Sequence, residues 1–128
     1  MNETLIAMRD IAVNALEDIK AKEIQVLDTA NLTDLFECMI VATGDSNRQV
    51  RALANNVSVD LKAKGYEILS TEGEETGEWV LVDAGSLVVH VMLPAVRDYY
   101  DLEQLWGGQK PTFNPMGRAW SAANTVDE

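Results

Sequence analysis

The chain has 128 residues, a formal net charge of −11 and a single cysteine, Cys38. That length fits one domain able to bury about two-thirds of its unfolded surface, so the fold needs neither a metal nor a disulfide for stability. The charge excludes a nucleic-acid backbone as a direct partner, because that affinity comes from Lys and Arg neutralising phosphates, and it favours a basic protein instead.

One cysteine cannot form an internal disulfide, and no Cys/His cluster offers a zinc site, which predicts a reducing compartment. No apolar run reaches the length of a membrane span, and MNETLIAMRD lacks the basic and apolar regions of a signal peptide. The expectation is a cytoplasmic protein without membrane contact. The charge is also uneven: no Lys or Arg lies between Lys64 and Arg97, whereas Glu67, Glu72, Glu74, Glu75, Glu78 and Asp83 do. The ordinary meaning of such a run is a solvated loop or strand edge.

In chain order, Leu5, Met8, Ala12, Ala15, Leu16 and Ile19 recur at helical spacing and predict an amphipathic helix from Thr4 to Lys20. Ile24 to Asp28 reads as a short strand. LFECMIVAT, after the turn around Asn31 to Asp34, is apolar nearly throughout and suits a strand buried on both faces, with Cys38 as a core residue. A second helix begins at Ser46, where Ser46 and Gln49 form a capping box; Val50, Leu53, Ala54, Val57 and Leu61 make its buried stripe. Lys62 and Lys64 suit its negative end, and Gly65 its left-handed C-terminal cap.

YEILSTE, the loop GEETG and the hairpin EWVLVDAGSLVVHVM then give three successive strands without an intervening helix. A two-residue turn at Ala84-Gly85 pairs Asp83 with Ser86 and places Trp79 opposite His90. Alternation puts Val80, Val82, Leu87, Val89 and Val91 on one face, and Trp79, Leu81, Asp83, Val88, His90 and Met92 on the other. The aliphatic face must meet the helices, so the mixed face is expected to be open. Pro94 starts a third helix, in which Val96, Tyr99, Leu102 and Trp106 share a stripe. After Gly107 the composition turns to Gly, Pro, Asn, Ser and Thr without a period, which predicts a disordered or extended tail over 108–128, leaving 1–107 as the domain. The fold class is α/β (α+β), with one mixed sheet of about five strands and helices mainly on one face.

Chemistry is sparse. TGDS at a strand-to-helix turn could present amides to a phosphate, but a complete capping box explains the same residues. A nucleotidyl-transfer site needs paired carboxylates for magnesium. The strands after TGDS offer no Asp-x-Asp, and Glu72 and Glu74 flank Gly73 in a loop. A magnesium-dependent nucleotide-binding or nucleotidyltransferase enzyme is the alternative reading. His90, the only histidine, has no Ser or Cys partner and is expected to stack on Trp79. With no nucleophile, base and oxyanion donor to assemble, the residues favour a binding module, with Trp79 as its strongest anchor candidate.

Four separated motifs, TDLFECMIVATGDSNRQVRALANNV, Glu72-Gly73, EWVLVDAGSLVVHVM and RDYYDLEQLW, resemble in order and spacing the ribosomal silencing factor family, also called Iojap or RsfS. The resemblance covers about Thr4 to Gly107; Ser86 departs from it, standing where the family often has an acidic residue. It implies a nucleotidyltransferase-like sheet without catalytic carboxylates, no enzymatic activity and no cofactor. It further implies binding to the large ribosomal subunit through its protein fourteen, a block on subunit joining, repression of translation when nutrients are scarce, and homodimerisation. On this reading Trp79 is the anchor, Leu81, His90 and Met92 are its apolar neighbours, Glu72, Glu78 and Asp83 meet basic side chains, and Tyr100 flanks the interface.

Overall fold

The computed structural model describes residues 1–100, with side chains through Asp98. Its elements are α1 (Glu3–Asp18), β1 (Lys22–Asp28), β2 (Cys38–Thr43), α2 (Asn47–Ala63), β3 (Ser70–Glu72), β4 (Trp79–Asp83), β5 (Leu87–Met92) and α3 (Pro94–Tyr100). The strands form one mixed sheet in the order β1-β2-β5-β4-β3. β2 and β5 run parallel at its centre, and the other pairs are antiparallel. All six residues of β2 and of β5 are buried, as continuous apolar runs in central strands require. The expected third helix beyond Tyr100, and the tail over 108–128, lie outside the described residues.

Both long helices start and stop on local chemistry. Asn2 Oδ1 caps α1 by accepting from Leu5 N at 2.8 Å, and Ser46 Oγ caps α2 by accepting from Gln49 N at 3.0 Å. The Gln49 amide reaches back not to Ser46 but to Asp45 N, at 2.7 Å, and its Nε2 donates to Ile19 O at 3.0 Å, stitching the end of α1 to the start of α2. Each helix ends in a Schellman motif. In α1, Ala21 N bonds Leu16 O and Lys20 N bonds Glu17 O; in α2, Tyr66 N bonds Leu61 O and Gly65 N bonds Lys62 O. The left-handed residue is Gly65 at φ +90 in α2, but Lys20 at φ +68 in α1.

Two apolar layers sandwich the sheet. The first is built by α1 and α2 on Cys38, Ile40, Ala42, Val80, Val82, Leu87, Val89 and Val91, the aliphatic face of the hairpin. The second holds Phe36, Met39, Val41, Trp79, Leu81, Val88 and Met92, with Leu27 and, from α3, Val96 packed against it. The face expected to be open is therefore covered: Phe36, outside any strand, and α3 both fold onto it.

Two expected strands are shorter than their apolar runs. Strand β2 starts at Cys38; Glu37 still bonds on both sides, accepting from Thr29 N at 2.9 Å and donating to Ser86 O at 2.8 Å, and the chain leaves the ladder at Phe36, whose carbonyl accepts from the Thr29 hydroxyl. Of YEILSTE only Ser70–Glu72 is strand, since Tyr66 N is spent closing the cap of α2, while Leu69 N still reaches Asp83 O at 2.8 Å.

The hairpin turn also differs. Ala84 N bonds Leu87 O at 2.9 Å, so the two-residue loop is Gly85-Ser86, with φ +87 at Gly85 alone, the pattern of a type II′ turn. Asp83 pairs with Val88, Leu81 with His90 and Trp79 with Met92. Moving the turn by one residue shifts every partner by two, so the register expectation fails while both face assignments hold.

Candidate functional site

The second sheet face carries the residues expected to meet a partner. The register lines up Glu72, Leu81, His90, Val41 and Gln25 across all five strands, with Trp79 and Met92 paired on one side of this row and Asp83 and Val88 on the other. Of these, Leu81, Met92 and Val88 are buried, and Trp79 and His90 are only 5% and 1% exposed. Asp83 and Glu72 are partly exposed; Glu78 is exposed, but it stands just before β4 opposite Leu93, which packs on the helix side of the sheet, so it lies at the edge and not on this face. The structure thus brings Trp79, Leu81, His90, Met92, Glu72 and Asp83 to one face, sorted into a buried floor and an acidic rim, with Glu78 at the neighbouring edge. The side chain of Tyr100 lies outside the described residues.

Trp79 and His90 touch diagonally rather than across a rung, with ring centroids 5.8 Å apart and planes tilted by 56° instead of stacked. Trp79 Nε1 donates to His90 Nδ1 at 2.8 Å. An indole nitrogen can only donate, so Nδ1 must be the bare nitrogen and Nε2 the protonated one. Burial pushes the His90 pKa down to about 3, which keeps the ring neutral and the bond intact at neutral pH. A neutral imidazole locked by an indole is a poor general base. Cys38 is equally quiet, since burial pushes its thiol up to about 11.

The rim is set by β3, β4 and the turn between them. Asp83 Oδ1 accepts from Gly85 N at 2.9 Å, which turns the carboxylate toward the hairpin tip. Glu78 is held through its backbone, Leu93 N donating to its carbonyl at 2.9 Å, so its side chain projects from a fixed point at the start of β4. Between β3 and β4 the turn at 73–77 is bound by two α2 side chains, Asn47 and Arg51. Sequence reasoning missed both. Their i, i+4 spacing puts them on one helix face, but nothing local says that a turn nearly thirty residues later will meet that face.

Arg97, only 8% exposed, anchors α3 beside this face: Nη1 donates to Thr43 Oγ1 at 2.9 Å and to Glu23 O. Glu23 sits at φ +49, where the pairing of β1 with β2 slips between Lys22 and Gln25.

The TGDS turn is occupied by its own cap, with Ser46 Oγ bound by Gln49 N. Among the described residues no group of three or more His, Cys, Asp or Glu is placed to hold a metal ion, and no helix is long and apolar enough to cross a membrane.

The family model described as "Ribosomal silencing factor during starvation" matches residues 2–127, further than the motifs alone carried the resemblance. A Chromobacterium violaceum protein named ribosomal silencing factor RsfS is 68% identical over 114 residues, covering 88% of this chain and 93% of that protein. A mouse protein named mitochondrial assembly of ribosomal large subunit protein 1 is 30% identical over 100 residues, covering 76% of this chain but 44% of its own. A crystal structure of a Chromobacterium violaceum protein superposes with a TM-score of 0.79 at 62% identity, covering 94% of this chain and 99% of that one. With its sheet, its motifs and nearly its whole length matched, the chain belongs to the ribosomal silencing factor family.

Proposed function

We propose that this protein is a cytoplasmic regulator without catalytic activity that binds the large ribosomal subunit through its protein fourteen, and by its bulk keeps the small subunit from joining. The observation that carries this reading is the family match over residues 2–127. The net charge of −11 supports it: such a protein is repelled by ribosomal RNA but can be steered to a basic ribosomal protein. Repression of translation under nutrient limitation then needs no chemistry, only occupancy of the subunit interface.

Within this proposal the rim residues Glu72, Glu78 and Asp83 meet Lys and Arg of the partner, with Tyr100 at the flank. Trp79, Leu81, His90 and Met92 form the apolar floor beneath. A tryptophan at 5% exposure offers little contact area where it stands, so its contribution here is to hold the rim rigid from below. The same surface would serve self-association, which sedimentation equilibrium of the isolated protein reads directly.

Co-sedimentation with separated ribosomal subunits tests the reading. The wild-type protein is expected to travel with the large subunit only and to reduce joining when the small subunit is added afterwards. A Glu72→Lys/Glu78→Lys variant is expected to do neither while keeping its melting temperature. Binding to neither subunit would overturn the proposal.

A further inference from the structure

The negative charge of the β3–β4 turn would not by itself mark a site, since acidic turns are usually just solvated. Its attachment is unusual. Arg51 Nε donates to Glu74 O at 2.8 Å and Nη2 to Glu75 O at 2.9 Å, and Asn47 Nδ2 donates to Thr76 O at 2.7 Å. Three consecutive carbonyls are thus bound by one face of α2. The turn closes on itself through Gly77 N to Gly73 O at 3.1 Å. Gly77 is buried at φ +71, and a Cβ there would lie 2.9 Å from Asn47 O and 3.1 Å from the guanidinium carbon of Arg51. The glycine is required both by its dihedral angle and by the closeness of the helix.

A guanidinium beside glutamates ordinarily pairs with a carboxylate, the stronger, charge-assisted bond. Here it takes the carbonyls, and among the described residues neither Glu74 nor Glu75 has an ion pair. Both carboxylates are left exposed on a backbone already ordered from behind. A partner binding them would not have to order that turn, a cost that otherwise weakens association.

We propose that Arg51 and Asn47 are positioning residues of the partner surface, holding the 73–77 turn so that Glu74 and Glu75 extend the rim of Glu72 and Glu78 toward a Lys- and Arg-rich protein surface. This rests on the functional reading above and adds to it two helix residues that touch no partner themselves.

A double-mutant cycle tests it, with binding to isolated large ribosomal subunits measured at fixed salt for wild type, Arg51→Ala, Glu74→Gln/Glu75→Gln, and all three changes together, alongside thermal unfolding of each. Arg51→Ala is expected to weaken binding by about tenfold, and to weaken it no further once the two carboxylates are gone, because the clamp acts through them. Its effect on melting should be the same in both backgrounds, which separates positioning from general destabilisation. Asn47→Ala is expected to repeat the pattern at smaller size. Losses that simply multiply, or a variant Arg51→Ala that binds like wild type, would overturn the inference while leaving the functional reading intact. Failure of the wild-type protein to bind large subunits would overturn both, so the two failures are told apart by which protein shows them.

Discussion

Lys20 and Gly65 occupy the same place at the ends of two helices and differ only in side chain. Both are left-handed, at φ +68 and +90, a conformation that costs a residue with a Cβ roughly 1 kcal/mol or more. A Cβ on Gly65 would meet nothing within 4 Å, so the penalty there is purely one of backbone. Lys20→Gly is therefore expected to stabilise the protein by about 0.5–1 kcal/mol, and Gly65→Ala to destabilise it by about 1 kcal/mol, both read by chemical denaturation. Opposite signs from two conservative changes are the check.

His90 carries a second residue-scale expectation. Its folded pKa, about 3, lies below the ordinary 6.5, so between these values the unfolded chain binds a proton that the folded one refuses. Stability from this group is complete above pH 6.5, falls as the pH drops toward 3, and changes no further below that. Between pH 7 and pH 5 the loss is about 2 kcal/mol. Replacement by Gln, which can still accept from Trp79, should flatten that part of the stability curve. Trp79→Phe is expected to cost about 1–3 kcal/mol, because it leaves the buried Nδ1 without its donor.

At the scale of elements, α2 does more than its amphipathic stripe required. Its buried residues, Val50, Leu53, Ala54, Val57 and Leu61, are those the spacing singles out. Its polar side binds α1 through Gln49 and the β3–β4 turn through Asn47 and Arg51. Ser46→Ala is expected to cost about 1 kcal/mol by removing the cap, and hydrogen exchange should quicken in the first turn of α2 before it does at Leu61. The hairpin shows how one turn residue sets a register. Ala84-Gly85 and Gly85-Ser86 differ in what they ask of the first loop residue: a primed turn needs a positive φ there, which Gly85 supplies at +87 and an alanine would adopt only with strain, so the loop is Gly85-Ser86.

At the scale of the molecule, the charge and the layers set what the protein can approach. Between Lys64 and Arg97 no Lys or Arg interrupts the acidic run, and Glu72 and Asp83 from it border the second sheet face, with Glu78 at the start of β4 beside them. If this edge meets a basic ribosomal protein, association with large subunits should slow steeply as salt rises, and Glu78→Lys should slow it at low salt while leaving the dissociation rate less changed. Stopped-flow measurement at two ionic strengths distinguishes steering from contact energy.

The sequence alone determined the two long helices, the caps of α2 at Ser46 and Gly65, the central position of β2, both face assignments of the hairpin and the family, because each follows from short-range periodicity or from motifs contiguous in the chain. Alternation has a period of two, so even a misplaced turn left Trp79 and His90 on one face. What lay on that face was decided only by tertiary structure. Phe36 and Val96 reach it from segments 43 and 17 residues away from Trp79 in the chain, and no local pattern in a strand records which distant residue will cover it. The same is true of the α2 clamp on the acidic turn. Its bonds join side chains to the backbone, and backbone carbonyls carry no signature in the amino-acid sequence.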